Sequence, residues 1–287
     1  MKENNIMNKY KKLSAILALA IIVTMAFSSV ALAKDRTYLA LGDDLSDSEL
    51  KTVLKIFDVD SIDDCEVLYV TNKDEHKYLD DYVDEAQIGN KALSCVMINE
   101  NDDEDIDVEI YNINYCTEDM YENALETAGV KGADVVVAGP YAISGTAALV
   151  GTIKAYEEMT GTKVSDKVVE AAVEELTTTG DIGEEVGDKG AVADIIDEVK
   201  EMIANNPDMS DSDIVQAIKD AAAKVGITLS DKNIERIKKM ITKFKGLDID
   251  WGGLFSKAKD LGQQGLDKAK EMGLWDKIVA WIKSLID

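Results

Sequence analysis

The stretch GADVVVAGPYAISGTAALVG, residues 132–151, holds the residue types most able to do chemistry. An apolar run meets Gly139-Pro140, passes Ser144-Gly145-Thr146 and enters a helix-like segment, which is the order of a phosphate loop or a nucleophile elbow. A phosphate loop needs a lysine just before the final Ser or Thr to reach the anion, and none precedes Thr146. An elbow needs glycine two residues before its serine so that the chain can turn sharply, and Ala142 stands there. A catalytic serine also needs a base. His76 is the one histidine of the chain and sits in NKDEHKYLDD, where a solvated helix face is expected. The stretch therefore reads as a buried strand, a Gly-Pro turn and a capped helix. Gly139, Ser144, Gly145 and Thr146 are its candidate ligand-binding residues, and no catalytic residue is assigned.

Oxygen ligands are abundant but badly spaced. The acidic run Glu100-Asn101-Asp102-Asp103-Glu104-Asp105 lacks the glycine and terminal glutamate of an EF-hand, so a solvated turn is expected, with weak Ca²⁺ binding through Asp102, Asp103 and Asp105 as the alternative. No other cofactor is expected. Among so many acids, any pair chosen for glycoside hydrolysis would be uninformative. Cys65, Cys95 and Cys116 fit no zinc spacing, and an odd count leaves at least one without an intramolecular partner; their pairing stays open.

Residues 34–161 alternate between helix-like and strand-like patterns. Helices are expected from Asp47, over NKDEHKYLDDYVDEA and over Thr117–Ala128, with strands at Cys65–Thr71, Ala92–Ile98, Ile106–Ile113 and Asp134–Ala138. The second and third of these strands, joined by the acidic run, read as a hairpin. Three consecutive valines, Val135–Val137, suggest a strand covered on both faces. From Thr146 onward the pattern is helical. The expected fold class is α+β (or α/β) with a small mixed sheet, followed by an all-helical C-terminal part. The corresponding layout is an α/β domain over 34–161, a helical domain over 162–250 and an amphipathic tail over 251–287.

Four helix openings repeat one pattern. Leu45-Ser46-Asp47, Val164-Ser165-Asp166, Met209-Ser210-Asp211 and Leu229-Ser230-Asp231 each place a capping serine and then an aspartate at the positive end of the helix dipole. Leu50, Val169, Ile214 and Ile234 follow at the spacing of a hydrophobic staple. The tail carries two amphipathic segments, the second with Trp275, Ile278, Trp281, Ile282 and Leu285 on its apolar face. That face has three readings: packing onto the chain's own helices, self-association, or a membrane surface with Trp251, Trp275 and Trp281 as anchors.

The N-terminus and the charge bound the setting. A segment with four lysines against one glutamate leads into the apolar run Leu13–Phe27 and the small-residue site around Ala31 and Ala33, so cleavage after Ala33 and a secreted or cell-surface location are expected. Residues 34–230 hold 46 acidic and 15 basic side chains, whereas 231–287 hold 9 acidic and 12 basic. A field of that sign over the first part excludes nucleic acid as its partner.

One block is specific enough to suggest relatives. TEDMYENALETAGVKGADVVVAGPYAISGTAALVGTIKAYE (Thr117–Glu157) resembles the core signature of the YpuA-like exported proteins, domain of unknown function 1002. YLALGDDLSDSEL (Tyr38–Leu50), NNPDMSDSDI (Asn205–Ile214) and LDIDW (Leu247–Trp251) resemble the same family more loosely. The resemblance implies a secreted or cell-surface protein of Gram-positive bacteria, with no activity and no catalytic residues to carry over. The expected function is that of an exported, non-enzymatic protein that binds a protein or an envelope component. A cell-wall hydrolase and a membrane-interface protein held by its tail are the alternatives.

Overall fold

The computed structural model describes residues 36–83, 88–101 and 105–247. The N-terminal segment 1–33, Asp102, Asp103 and the tail residues Trp275, Ile278, Trp281, Ile282 and Leu285 lie outside the described residues. Five strands form one sheet: β1 (Tyr38–Gly42), β2 (Glu66–Val70), β3 (Cys95–Glu100), β4 (Ile106–Ile113) and β5 (Ala133–Ile143), ordered β2-β1-β3-β5-β4. The helices are α1 (Asp47–Ile56), α2 (Asn72–Leu79), α3 (Glu118–Thr127), α4 (Ala148–Thr160), α5 (Asp166–Val186), α6 (Lys189–Asn205), α7 (Asp211–Lys224) and α8 (Asp231–Lys245). The protein is thus a mixed-sheet N-terminal part followed by a run of helices.

Strand alternation sorts side chains to two sheet faces. Tyr38 and Ala40, Val96 and Ile98, and Val135 and Val137 enter the larger core beneath α3 and α4. Their neighbours Leu39 and Leu41, Cys95 and Ala138 enter a smaller core that holds Val53 and Phe57 from α1 and its end. β4 behaves differently: Val108 is buried on the inner face, while Asp107 and Glu109 are exposed on the other.

That difference overturns the expected hairpin. β3 and β4 do not pair; β5 lies between them, antiparallel to β3 and parallel to β4. A strand with acids on one face stays in water as an edge, whereas the valine strand, covered on both faces, takes the inner position. Each end of the sheet is then a strand-helix-strand unit, β1-α1-β2 and β4-α3-β5, with β3 joining them antiparallel to both.

The expected Gly-Pro turn is also replaced. β5 runs through Gly139-Pro140 to Ile143, but β4 advances only from Tyr111 to Ile113 while β5 advances from Ala138 to Ile143. Proline cannot donate to the ladder, so the extra residues leave it as a bulge. Asn112, with φ of 57°, fastens the bulge by donating from Nδ2 to the Gly139 carbonyl at 2.9 Å.

The four serines do begin α1, α5, α7 and α8. Ser46 and Ser210 form reciprocal capping boxes with Glu49 and Asp213, and Ser230 accepts from the Asn233 amide. Ser165 makes no side-chain cap bond. The helices α5 to α8 enclose a second core around Ile195, Ile196, Ile218, Ile237 and Phe244. α5 serves both large cores: Val169, Ala172, Val173 and Leu176 face the first, Ala171 and Ile182 the second. All three cysteines are free thiols. Burial pushes Cys95 and Cys116 up to about 12, which makes them poor nucleophiles.

Candidate ligand-binding site

The turn between β5 and α4 is held from three sides. The Ser144 carbonyl accepts from the Cys116 amide at 3.2 Å, and the Ile143 carbonyl accepts from the Asn114 amide at 2.9 Å. The Gly145 carbonyl accepts from the buried Tyr121 hydroxyl at 2.6 Å and from the Ala148 amide at 2.9 Å. Gly145 has φ of +89°, and a Cβ there would stand 2.5 Å from the Tyr121 oxygen, so the turn admits only glycine without rearrangement. Ser144 Oγ and Thr146 Oγ1 lie 3.4 Å apart.

Ser144 and Thr146 line two cavities. One, of about 360 Å³, is bordered by Tyr82, Asn114, Tyr115, Thr177 and Asp181 at the meeting of the sheet part with α5. The Tyr115 hydroxyl donates to Asp181 at 2.9 Å, and Arg236 of α8 holds the other oxygen of Asp181 at 2.8 Å. Its polar groups are largely engaged with one another.

The other cavity, of about 370 Å³, is lined by Glu75, Lys91, Ser94 and Tyr141 besides Ser144 and Thr146. Its wall is pinned by α2, because Asn72 Nδ2 at 3.3 Å and His76 Nε2 at 3.2 Å both meet the Gly89 carbonyl. His76 Nδ1 lies 2.5 Å from Asp80 Oδ1. With both ring nitrogens engaged, the imidazole is not placed as a base for Ser144.

Glu75 is the unusual group. It is 2% exposed, and its Oε2 accepts from Asn72 Nδ2 at 2.9 Å. Burial pushes its carboxyl up to about 7 against the pull of Asn72 and His76, with Asp44 and Asp74 adding to the rise. The adjacent Asp74 goes the other way: burial opposes it, but hydrogen bonds from Lys154 and Thr71 draw it down to about 2.

Of the residues singled out in the sequence, Ser144 and Thr146 come together at both cavities, and Gly145 sets the turn between them. Gly139 lines neither and serves the bulge. Asp105 is bound through its backbone carbonyl to Asn101 Nδ2 and the Ala133 amide. Among the described residues no three metal-ligating side chains converge. Sequence reasoning missed Glu75, Lys91, Ser94 and Tyr141. For Glu75 a signal existed: in α2 it stands three and four residues before the buried Tyr78 and Leu79, so the helix phase that buries those two turns Glu75 inward as well. Ser94 and Tyr141 belong to a loop and a bulge, which carry no such period.

Comparison with known proteins adds a family but no activity. Residues 41–261 match the family described as "Protein of unknown function (DUF1002)". The chain is 40% identical over 247 residues to the "Uncharacterized protein YpuA" of Bacillus subtilis (strain 168), covering 85% of this chain and 79% of that relative. No solved structure matches.

Proposed function

The chain belongs to the DUF1002 family, and from that premise we propose that it is an exported protein of the cell envelope or extracellular space that works by binding a protein or envelope component at the Ser144–Thr146 turn. One observation carries the reading: a rigidly held turn presents two hydroxyls to two cavities where the sheet and the helices meet. Pockets of a few hundred Å³ with a few convergent polar groups are the usual form of small-ligand sites. Export is supported by the basic segment, apolar run and small-residue site of the first 33 residues.

A second reading, a cell-wall hydrolase, draws on Glu75, whose carboxyl near 7 suits acid–base work at neutral pH. Glycoside hydrolysis uses paired carboxyl groups, and among the described residues Glu75 is the one acid lining its cavity, which favours binding over turnover. The membrane-interface reading concerns the tail and stands apart from this site.

The test is capture from envelope extract by immobilised residues 34–287 and by the same chain with Ser144→Tyr, which fills the turn side of both cavities. A component retained by the first and lost from the second is expected. Equal retention by both removes the turn as the binding site, and turnover of wall glycan that stops with Glu75→Gln replaces binding by hydrolysis.

A further inference from the structure

Buried carboxylates are stable when a cation or several donors face them. Glu75 is 2% exposed, and its carboxyl has one hydrogen bond among the described residues, from Asn72, and enters no ion pair there. The charged groups around it are already engaged or of the wrong sign. On α2 itself, Asp74 is bridged to Lys154 of α4 at 2.6 Å and His76 is bonded to Asp80. From the loop after β1, Asp44 accepts from the Ala92 amide at 2.9 Å. Lys91 lines the same cavity but is exposed at its rim.

The cavity therefore holds a carboxyl group at depth, and among the described residues no cation is paired with it. The whole chain carries a formal net charge of −25, so its field draws cations toward the opening. A hard metal ion fits poorly, because it needs several oxygen ligands and Glu75 is the one carboxylate among the described residues lining this space. An ammonium group fits better: it needs one counter-ion and a few acceptors. Ser94, Ser144 and Thr146 supply hydroxyl oxygens, and Tyr141, 51% exposed, adds an aromatic ring to the lining, a group that attracts cations.

We infer that this cavity binds the primary ammonium group of a small organic ligand, with the Glu75 carboxylate as counter-ion, the hydroxyls of Ser144 and Thr146 as further acceptors and Tyr141 at the rim. The inference rests on the binding reading above and names the chemistry of its ligand. Such an amine could be carried by an amino alcohol or by a peptide side chain, and the probes below separate these sources. Because burial sets the Glu75 carboxyl near 7, binding converts it to the carboxylate and releases a proton. Affinity then rises roughly tenfold between about pH 6 and pH 8, where both probes remain protonated.

The experiment is titration calorimetry on residues 34–287 with ethanolamine, with Nα-acetyl-lysine amide, and with N-acetylethanolamine as the uncharged control. One of the two amines should bind, about tenfold more weakly near pH 6, while the control gives no saturable heat. Glu75→Gln should weaken the amine at least tenfold. Tyr141→Ala, at an exposed position that leaves folding intact, should weaken it several-fold. Silence from both amines, or an affinity indifferent to both substitutions, overturns the ammonium assignment. If that happens while Ser144→Tyr still abolishes envelope capture, the binding reading stands and only the ligand class falls. If the amines bind through Glu75 and capture ignores Ser144→Tyr, the ammonium site stands without the capture reading.

Discussion

Two buried glutamates in this molecule are treated in opposite ways. Glu175, on α5 where the sheet part meets the helices, is 0% exposed and faces Lys200 Nζ at 2.9 Å, with the Thr127 hydroxyl on its other oxygen. Lys200 donates in addition to the Asn123 carbonyl at 3.0 Å. Burial pulls the lysine down, but Glu175, Glu126 and Asp197 outweigh it and hold it above the usual lysine range. Glu75 is as deeply placed, yet it faces a cavity with a single amide donor. At the join Glu175 has a cation in contact, and at the cavity Glu75 has none among the described residues. A completed pair locks two parts together, whereas an open one costs stability until something fills it.

The contrast is sharpened most by Lys200→Met, which strands Glu175 without its cation. Urea denaturation should show a loss of about 3–5 kcal/mol. A loss below about 1 kcal/mol would break the comparison, because Glu175 would then behave like Glu75.

Glu75→Gln should act in the reverse direction and depend on pH. The folded pKa of about 7 lies above the ordinary 4.5, so the folded chain keeps a proton that the unfolded chain gives up. That contribution is complete below about pH 4.5 and is lost as pH rises through 7. The variant should therefore match the parent near pH 4 and exceed its stability by roughly 3 kcal/mol near pH 8. Denaturation curves at the two pH values decide it, and a pH-independent difference would show that Glu75 is already neutralised.

Thr127→Val removes the hydroxyl from Glu175 while keeping the side-chain shape. A loss of about 1–2 kcal/mol is expected, smaller than for Lys200 because the ion pair survives. Tyr141→Ala should change stability by less than about 0.5 kcal/mol, as its ring is exposed at the cavity mouth. A larger loss would mean that Tyr141 belongs to the packing.

Helix starts were legible because capping is a local matter: a serine, an aspartate and a staple residue lie within five positions and need no distant partner. Even Ser165, which makes no cap bond, was placed at a helix start by the same pattern. Four of the five strands were legible from their short apolar or alternating runs, whereas β1 (Tyr38–Gly42) was not named. Strand order was not, because the acidic run between β3 and β4 looks like a hairpin turn, and only the competition for the inner position shows that β5 must separate them. The bulge at Gly139–Ala142 was hidden likewise: Gly-Pro marks a departure from the ladder but not whether the strand resumes after it. At the site, Ser144 and Thr146 could be named from their types, while Glu75 is concealed among the charged residues of α2.

One consequence of α5 reaches beyond the site. This helix of 21 residues, about 30 Å long, gives side chains to both large cores, and Tyr115 packs against it at Gly180, where a Cβ would collide with the tyrosine oxygen. Loss of either core removes a flank of the same rod, so the other core cannot keep its own share of the helix in place. The described residues are therefore expected to unfold as a single cooperative unit, which calorimetry would register as one heat-absorption peak whose van't Hoff and calorimetric enthalpies agree.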